Sequence, residues 1–269
     1  MGTYLYDQAW ERERQRLTAL EDLFDDTTRH RLDLLGVGEG WRCLEVGAGA
    51  GSTARWLAER VGATGHIVAT DLDPRFLSDG PRLKVIAHDI LTDDVDTEAY
   101  DLVHARALLE HLAERDRALS RMVSAARPGG WVVIEDFHLG GSAGTMFADY
   151  FAPAAEVGLY HRVTAAFSAM FTAVGADLTF APRLPSMLLA AGLRDVRATV
   201  FAPVVRGGAD APSFAELSLG FLSGRMAAAG LLTQDEIDRV MASLRDPSSF
   251  ITPMAMVTAW GRRPQHGPP

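Results

Sequence analysis

The sequence predicts an α/β protein with a doubly wound sheet, its parallel strands covered by helices on both faces. Two patterns predict it. Between residues 41 and 139, short apolar runs alternate with helix-spaced stretches, the arrangement of a parallel sheet with crossover helices. The first apolar run also ends in "LEVGAGAGS", residues 44–52, where Gly47, Gly49 and Gly51 stand at alternate positions behind Glu45. Glycine at that density weakens any regular element, so a close approach to the bare backbone is expected here.

The elements follow in order. Residues 4–35 carry Leu17, Leu20, Leu23 and Phe24 at helical spacing. "GVGEGW" turns the chain into a first strand, "WRCLEVG", and Ser52 is placed to cap the helix "TARWLAERVG". "GHIVATDLD" is a second strand, with a short helix expected from Pro74 and Asp73 as its cap. "RLKVIAHDI" and "YDLVHAR" are the third and fourth strands. One long helix is expected over "ALLEHLAERDRALSRMVSAARPGG", then a fifth strand, "WVVIEDF". Residues 140–181 lose the strand pattern and are rich in Ala, Phe, Met and Tyr. A helix "RLPSMLLAAGL" leads to a sixth strand, "RDVRATVFAPVV"; helices over 213–229 and 233–245 precede a last strand, "TPMAMVTAWGRR". The tail, residues 264–269, is expected to be disordered.

Composition narrows the function. At 269 residues, 48% of them hydrophobic, the chain suits one large domain with an elaborated cap. No apolar run reaches the roughly 18 residues needed to span a bilayer, and no signal-peptide core is seen, so a cytoplasmic protein without a membrane partner is expected. Cys43 is the one cysteine, which removes an internal disulfide and any cysteine-cluster metal site; a buried inert thiol and no metal are expected. A net charge of −9 with dispersed arginines argues against a nucleic-acid partner.

A glycine loop after the first strand lies at the carboxyl edge of the sheet, where ligands bind. Glu45 is a poor neighbour for a pyrophosphate, and Ser52 stands where a dinucleotide fingerprint wants Gly or Ala. Asp71 and Asp89 end successive strands, placed for ribose hydroxyls and an adenine amino group. Together "LEVGAGAGS", "VATDLDP", "AHDI", "YDLVHARALLEHL" and "RPGGWVVIED" resemble, in order, the motifs of the class I S-adenosylmethionine-dependent methyltransferases. The resemblance covers residues 41–137 best and is closest to bacterial small-molecule enzymes, including those of secondary metabolism. It implies a seven-stranded Rossmann-like sheet with an antiparallel last strand, and S-adenosylmethionine as cofactor. Carried over, Glu45, Gly47, Gly49, Gly51, Asp71, Leu72, Asp89, Ile90, His104 and Arg106 form the cofactor site, with Leu72 and Ile90 about the adenine. For Arg106, pairing with the cofactor carboxylate or with Glu110 at i,i+4 both stand; Arg16 is a second carboxylate candidate. The implied division is 1–40 helical cap, 41–139 cofactor-binding core, 140–185 cap insertion, 186–263 remainder of the core, and 264–269 tail.

The acceptor is less defined. His138, at the end of the fifth strand, is the first candidate base and His111 the second. Tyr6, Phe147, Tyr150, Phe151, Tyr160 and His161 are expected about the substrate. With Phe167, Met170 and Phe171, the aromatic residues among them serve equally as cap core. The cap holds few Lys or Arg, which points to a mostly apolar small molecule methylated at oxygen or carbon. Two other readings stay open: a cofactor-binding relative that cyclises or rearranges its substrate without methylating it, and an NAD-dependent oxidoreductase. A homodimer is left open.

Overall fold

A computed structural model of the chain describes residues 5–6, 11–139, 156–208 and 213–265. Its principal sheet has seven strands: β1 (Arg42–Val46), β2 (His66–Asp71), β3 (Leu83–Ala87), β4 (Tyr100–Arg106), β5 (Ala126–His138), β6 (Arg194–Phe201) and β9 (Ala255–Arg262). Their order is β3-β2-β1-β4-β5-β9-β6. β1 is parallel to β2 and β4, β2 to β3, and β4 to β5, while β9 runs antiparallel to both β5 and β6. The expected antiparallel last strand is therefore present. The chain winds outward from β1 to β3, then returns to β4 on the other side of β1, which opens a crevice at the carboxyl ends of β1 and β4. A two-stranded ribbon, β7 (Val205–Arg206) with β8 (Phe250–Ile251), stands apart.

Two apolar layers cover the sheet. On one face Leu57 and Val61 of α2 (Ser52–Arg60) and Leu32 of α1 (Glu13–Leu34) close over Cys43 and Ile67, and the Cys43 thiol is fully buried. On the other face Leu119 and Met122 of α3 (Arg115–Ala125) and Leu184 and Leu188 of α5 (Leu184–Ala190) pack on Leu44, Val103 and Ile134. A third cluster lies beyond the sheet. It joins α4 (Val157–Ala173) to α6 (Phe214–Ala228) and α7 (Gln234–Arg245), with Leu5 and Tyr6 of the N-terminus inside it. Both α6 and α7 open with reciprocal capping boxes, Ser213 with Glu216 and Thr233 with Glu236. These two helices thus belong with the cap by packing, although the sequence pattern groups them with the core.

Several local expectations fail for identifiable reasons. α1 begins at Glu13; ahead of it Leu5 and Tyr6 bend back, with the Tyr6 ring against Phe221 and Phe171. Ser52 does not cap α2 with its side chain. Gly51 takes the cap position, at φ +89°, and the Ser52 hydroxyl donates to Asp25 Oδ1 instead. No helix follows Pro74: Asp73 accepts from the Arg75 N–H and holds a turn. The expected helix over 107–130 is broken into a 3-10 turn, Leu109–His111, and α3. The break lies at Leu112, which is extended with ψ 129°, while Asp136 Oδ1 caps the turn ahead of it by accepting the Leu108 and Glu110 N–H groups. β5 starts five residues early, at Ala126. Gly130 makes that possible, since a Cβ there would sit 2.8 Å from the Tyr100 carbonyl oxygen.

Candidate active site

The carboxyl edge of the sheet holds a cavity of about 270 Å³ that runs from the glycine loop into the helical cap. The loop is tied to β2. The N–H groups of Gly47 and Ala48 both donate to the Thr70 carbonyl, at 2.8 and 2.9 Å, and the Gly49 N–H donates to Asp71 Oδ2 at 2.9 Å. Asp71 Oδ1 accepts from the Asp73 N–H. Burial raises the Asp71 carboxyl above its usual range, and the N–H groups of Asp73 and Gly49 oppose that rise. Gly47, Gly49, Asp71, Leu72, Asp89 and Ile90 all line this end of the cavity. Leu72 is 59% exposed, an apolar side chain left facing an open crevice, while Ile90 is buried. Asp89 Oδ1 accepts from the Leu91 N–H, which fixes its carboxylate at the end of β3.

Gly51 does not line the cavity; it makes the turn that aims α2 at it. A Cβ at Gly51 would lie 2.3 Å from Leu77 Cδ2 and 2.9 Å from Arg55 Nη1, at a φ that side chains resist. Gly51→Ala is therefore expected to lower stability by about 1–3 kcal/mol, with a visible fall in midpoint on thermal unfolding; an unchanged midpoint contradicts this account of the turn.

Beneath the loop lies a buried polar ladder that sequence reasoning placed differently. Glu45 and His104 are register partners on β1 and β4, and Glu45 Oε2 meets His104 Nδ1 at 2.6 Å. His104 Nε2 lies 3.3 Å from Glu135 Oε2, and Glu135 also accepts from the hydroxyls of Thr28 and Thr258. Burial alone would push the His104 imidazole down, but the two glutamates carry it up to about 9; Glu135, despite its burial, is held at about 2 by His104 and Arg106. His104 is 0% exposed and does not reach the cavity, so its expected place about the cofactor is corrected: it is a buried cation under the floor. Glu45 does line the cavity, but its carboxylate is already engaged by His104. Arg106 also lines it. Its guanidinium donates to Asp25 Oδ1 at 2.8 Å and to Thr28 Oγ1 at 3.1 Å, both on α1, in place of the Glu110 pairing that i,i+4 spacing offered. The other carboxylate candidate, Arg16, is buried, paired with Glu13 and stacked 3.8 Å over the Tyr6 ring.

The far end of the cavity is apolar, with Val163, Phe167 and Phe171 of α4 facing Val240 and Leu244 of α7. Tyr6 and Tyr160 line it, and the Tyr160 hydroxyl donates to Ser243 Oγ. His161 does not line it. Phe147, Tyr150 and Phe151 lie outside the described residues. His138 and His111 both line the cavity. Burial lowers the His138 imidazole, and its Nδ1 is buried without a hydrogen-bond partner. His111 is pressed to about 3 by burial and by Arg16, which makes it a weak base. The residues that sequence reasoning missed are Glu110, in the cavity wall, and Asp136 directly behind it. The available signal was an acid inside each of two apolar runs, "ALLEHL" and "VVIEDF". Among the described residues no group of three or more His, Cys, Asp or Glu could hold a metal ion, and no helix is long and apolar enough to cross a membrane.

Comparison with known proteins bears on the fold and on the glycine-loop end of the cavity. Residues 44–132 match a family described as a methyltransferase domain. A stretch of 114 residues is 30% identical to the ubiquinone/menaquinone biosynthesis C-methyltransferase UbiE of Laribacter hongkongensis, covering 39% of this chain and 47% of that protein. The chain spans under half the length of the curated relatives it matches. Among solved structures, phosphoethanolamine N-methyltransferase 2 of Haemonchus contortus, bound to phosphomonomethylethanolamine and S-adenosylhomocysteine, superposes with a TM-score of 0.61 at 15% identity, over 98% of this chain and 61% of that one. The 4+2 cyclase SpnF superposes at 0.52 with 19% identity, over 90% of this chain and 81% of the cyclase.

Proposed function

We propose that this chain, a class I S-adenosylmethionine-dependent methyltransferase by its fold and by the sequence of residues 44–132, methylates a mostly apolar small molecule at oxygen or carbon, in bacterial secondary metabolism. The observation that carries the reading is the single cavity joining two unlike ends. One end presents the bare backbone of Gly47 and Gly49 with the carboxylates of Asp71 and Asp89; the other presents Val163, Phe167, Phe171, Val240 and Leu244. The donor set fits the cofactor. Asp71 has lone pairs left for two ribose hydroxyls after accepting from Gly49 and Asp73, Leu72 and Ile90 offer apolar surface to a purine, and Asp89 accepts from an amino group.

When bound, the cofactor supplies an activated methyl group on a sulfonium sulfur. The protein's part is then to align the acceptor and to exclude water, which supplies on the order of 7–11 kcal/mol. α1 and α4 wall the cavity from two sides and provide that enclosure. His138 is the proposed base. Its lowered affinity for protons keeps the imidazole neutral at pH 7, and a neutral ring in the cavity wall can take a proton from a hydroxyl or an acidic carbon.

The test is calorimetry with S-adenosylmethionine and NAD, followed by a panel of aromatic and polyketide acceptors with S-adenosylhomocysteine as readout. Tight binding of NAD in place of the adenosyl ligand removes the reading. Consumption of an acceptor without S-adenosylhomocysteine moves the chain to the non-methylating class. His138→Ala is expected to lower kcat about 10²-fold with cofactor affinity kept; an undiminished kcat removes His138 as base.

A further inference from the structure

We propose that Glu110, through an Oε1–H, is the hydrogen-bond donor that holds an oxygen of the acceptor beside its reacting atom, so that hydroxy-carbonyl acceptors are taken in preference to amines. The inference rests on the methyl-transfer reading above and names the acceptor class for that same cavity.

Glu110 lines the acceptor side of the cavity although its side chain is only 1% exposed. No part of the cofactor reading uses it. Its geometry distinguishes its two oxygens. Oε2 accepts the Phe137 N–H at 2.7 Å, and so behaves as the carbonyl oxygen of the group. A proton on Glu110 therefore sits on Oε1. Behind it Asp136 is held the same way, with Oδ1 accepting the N–H groups of Leu108 and Glu110 and Oδ2 without a partner. Asp136 thus caps the Glu110 backbone, and Glu110 caps that of Phe137, the residue after Asp136.

Charge decides the protonation. Arg16 and Glu13 from α1 face the pair as an ion pair closed at 2.7 Å, Tyr6 comes from the N-terminus, His111 from the same 3-10 turn, and Arg115 from α3. Arg16 is thus divided between Glu13 and Glu110, and Arg115 lies 4.0 Å from Asp177. Two buried carboxyls so poorly compensated do not both ionise. Burial lifts Glu110 well above its ordinary range and Asp136 to about 8. His111, at about 3, stays neutral and adds no cation. Its Nε2 lies 3.4 Å from Glu110 Oε1, too far for a strong hydrogen bond, so the O–H has more to gain from a ligand oxygen.

A neutral donor in an apolar chamber suits an oxygen acceptor. A protonated amine would meet no ionised carboxylate there and would lie near the Arg16 guanidinium. In the reaction the acceptor's proton passes to the His138 imidazole. The bond from the acceptor atom to the methyl carbon forms as the carbon–sulfur bond breaks, and that electron pair stays on sulfur. Glu110 keeps its proton, and its hydrogen bond strengthens as charge grows on the neighbouring oxygen.

The full chain with S-adenosylmethionine is assayed at neutral pH against 2′-hydroxyacetophenone, a neutral phenol whose hydroxyl stands beside a carbonyl, and against benzylamine, which is protonated there. The phenol is expected to turn over at least about tenfold faster, and Glu110→Leu to lower its rate about 10²-fold. Glu110→Gln, which offers an amide N–H in place of the O–H, is expected to lose only about threefold. The wild-type rate should fall at alkaline pH, where the raised Glu110 carboxyl finally ionises, and the Gln variant should not show that fall. The infrared C=O stretch of a protonated carboxyl should be present in the wild type at pH 7 and reduced in the Gln variant. Preference for the amine, a Gln variant no better than Leu, or no loss of that band overturns the inference. If S-adenosylhomocysteine forms and Glu110→Leu is unaffected, only this inference fails. If neither these probes nor the wider panel gives S-adenosylhomocysteine, the methyl-transfer reading fails and this inference with it.

Discussion

Asp71→Ala is expected to weaken S-adenosylmethionine binding by about 10²–10³-fold, or roughly 3–4 kcal/mol. The effect has two sources. Hydrogen bonds to a carboxylate are worth about 1.5–3 kcal/mol each, and two ribose hydroxyls are lost together. The Gly49 N–H also loses its acceptor, which frees the middle of the glycine loop from β2. Asp73→Ala is the control. Asp73 is tied to Arg75 on the surface and does not line the cavity, so its loss is expected to change affinity by less than about threefold. Titration calorimetry on both variants checks the pair of expectations. Equal losses would mean that Asp71 does not reach the ribose.

The second large effect concerns the buried ladder. Glu135→Ala removes the acceptor of Thr28, Thr258 and His104 at once and leaves a buried cation with one partner. Breaking a buried charge pair in this way costs about 3–5 kcal/mol, which for a chain of this size lowers the thermal midpoint on the order of 10 °C. The same ladder sets a pH dependence. His104 is raised from 6.5 to about 9 in the fold, so its contribution is complete below pH 6.5 and is lost as the pH climbs through 9. Glu135 is lowered from 4.5 to about 2, so its contribution is present above pH 4.5 and is lost as the pH falls through 2. The wild-type midpoint should therefore decline from pH 6.5 to 9. His104→Gln, less stable at pH 6, should decline less steeply over that interval, with the raised carboxyls of Asp136 and Glu110 carrying the slope that remains. A variant that declines in parallel with the wild type assigns the slope to another group.

How much of this was readable in advance depends on how local each feature is. Gly47, Gly49 and Asp71 were legible because one turn brings them together, and glycine spacing plus an acid at the next strand end is a local pattern. The parallel strands were legible for the same reason, each being an apolar run closed by turn residues. Leu109–His111 was not, because the acid that caps this separate turn is Asp136, 26 positions from Glu110 in sequence. His104 was misplaced because only the register shows which face it takes: it stands beside Glu45, and Arg106 beside Glu135, on the face covered by α1. The α6 and α7 boundaries were legible from their capping boxes. Their membership of the cap was not, since it rests on contacts with α4 across some fifty positions of chain.

The antiparallel insertion of β9 has a consequence for how such a protein can diverge. β9 lies between β5 and β6, and His138 pairs with Ala255 while Phe201 pairs with Met256. Three strand ends therefore meet at one rim; the excursion after β6 begins and ends there, while the excursion after β5 begins there and ends at Arg194 on the opposite edge. Among the described residues neither excursion contributes a rung to the main ladder. Described residues there can be gained, lost or exchanged without a main-sheet bond being remade, while the glycine-loop half stays tied to β2 and α1. The architecture separates two inheritances: a floor that tolerates little revision, and a roof that a lineage can rebuild for a new guest.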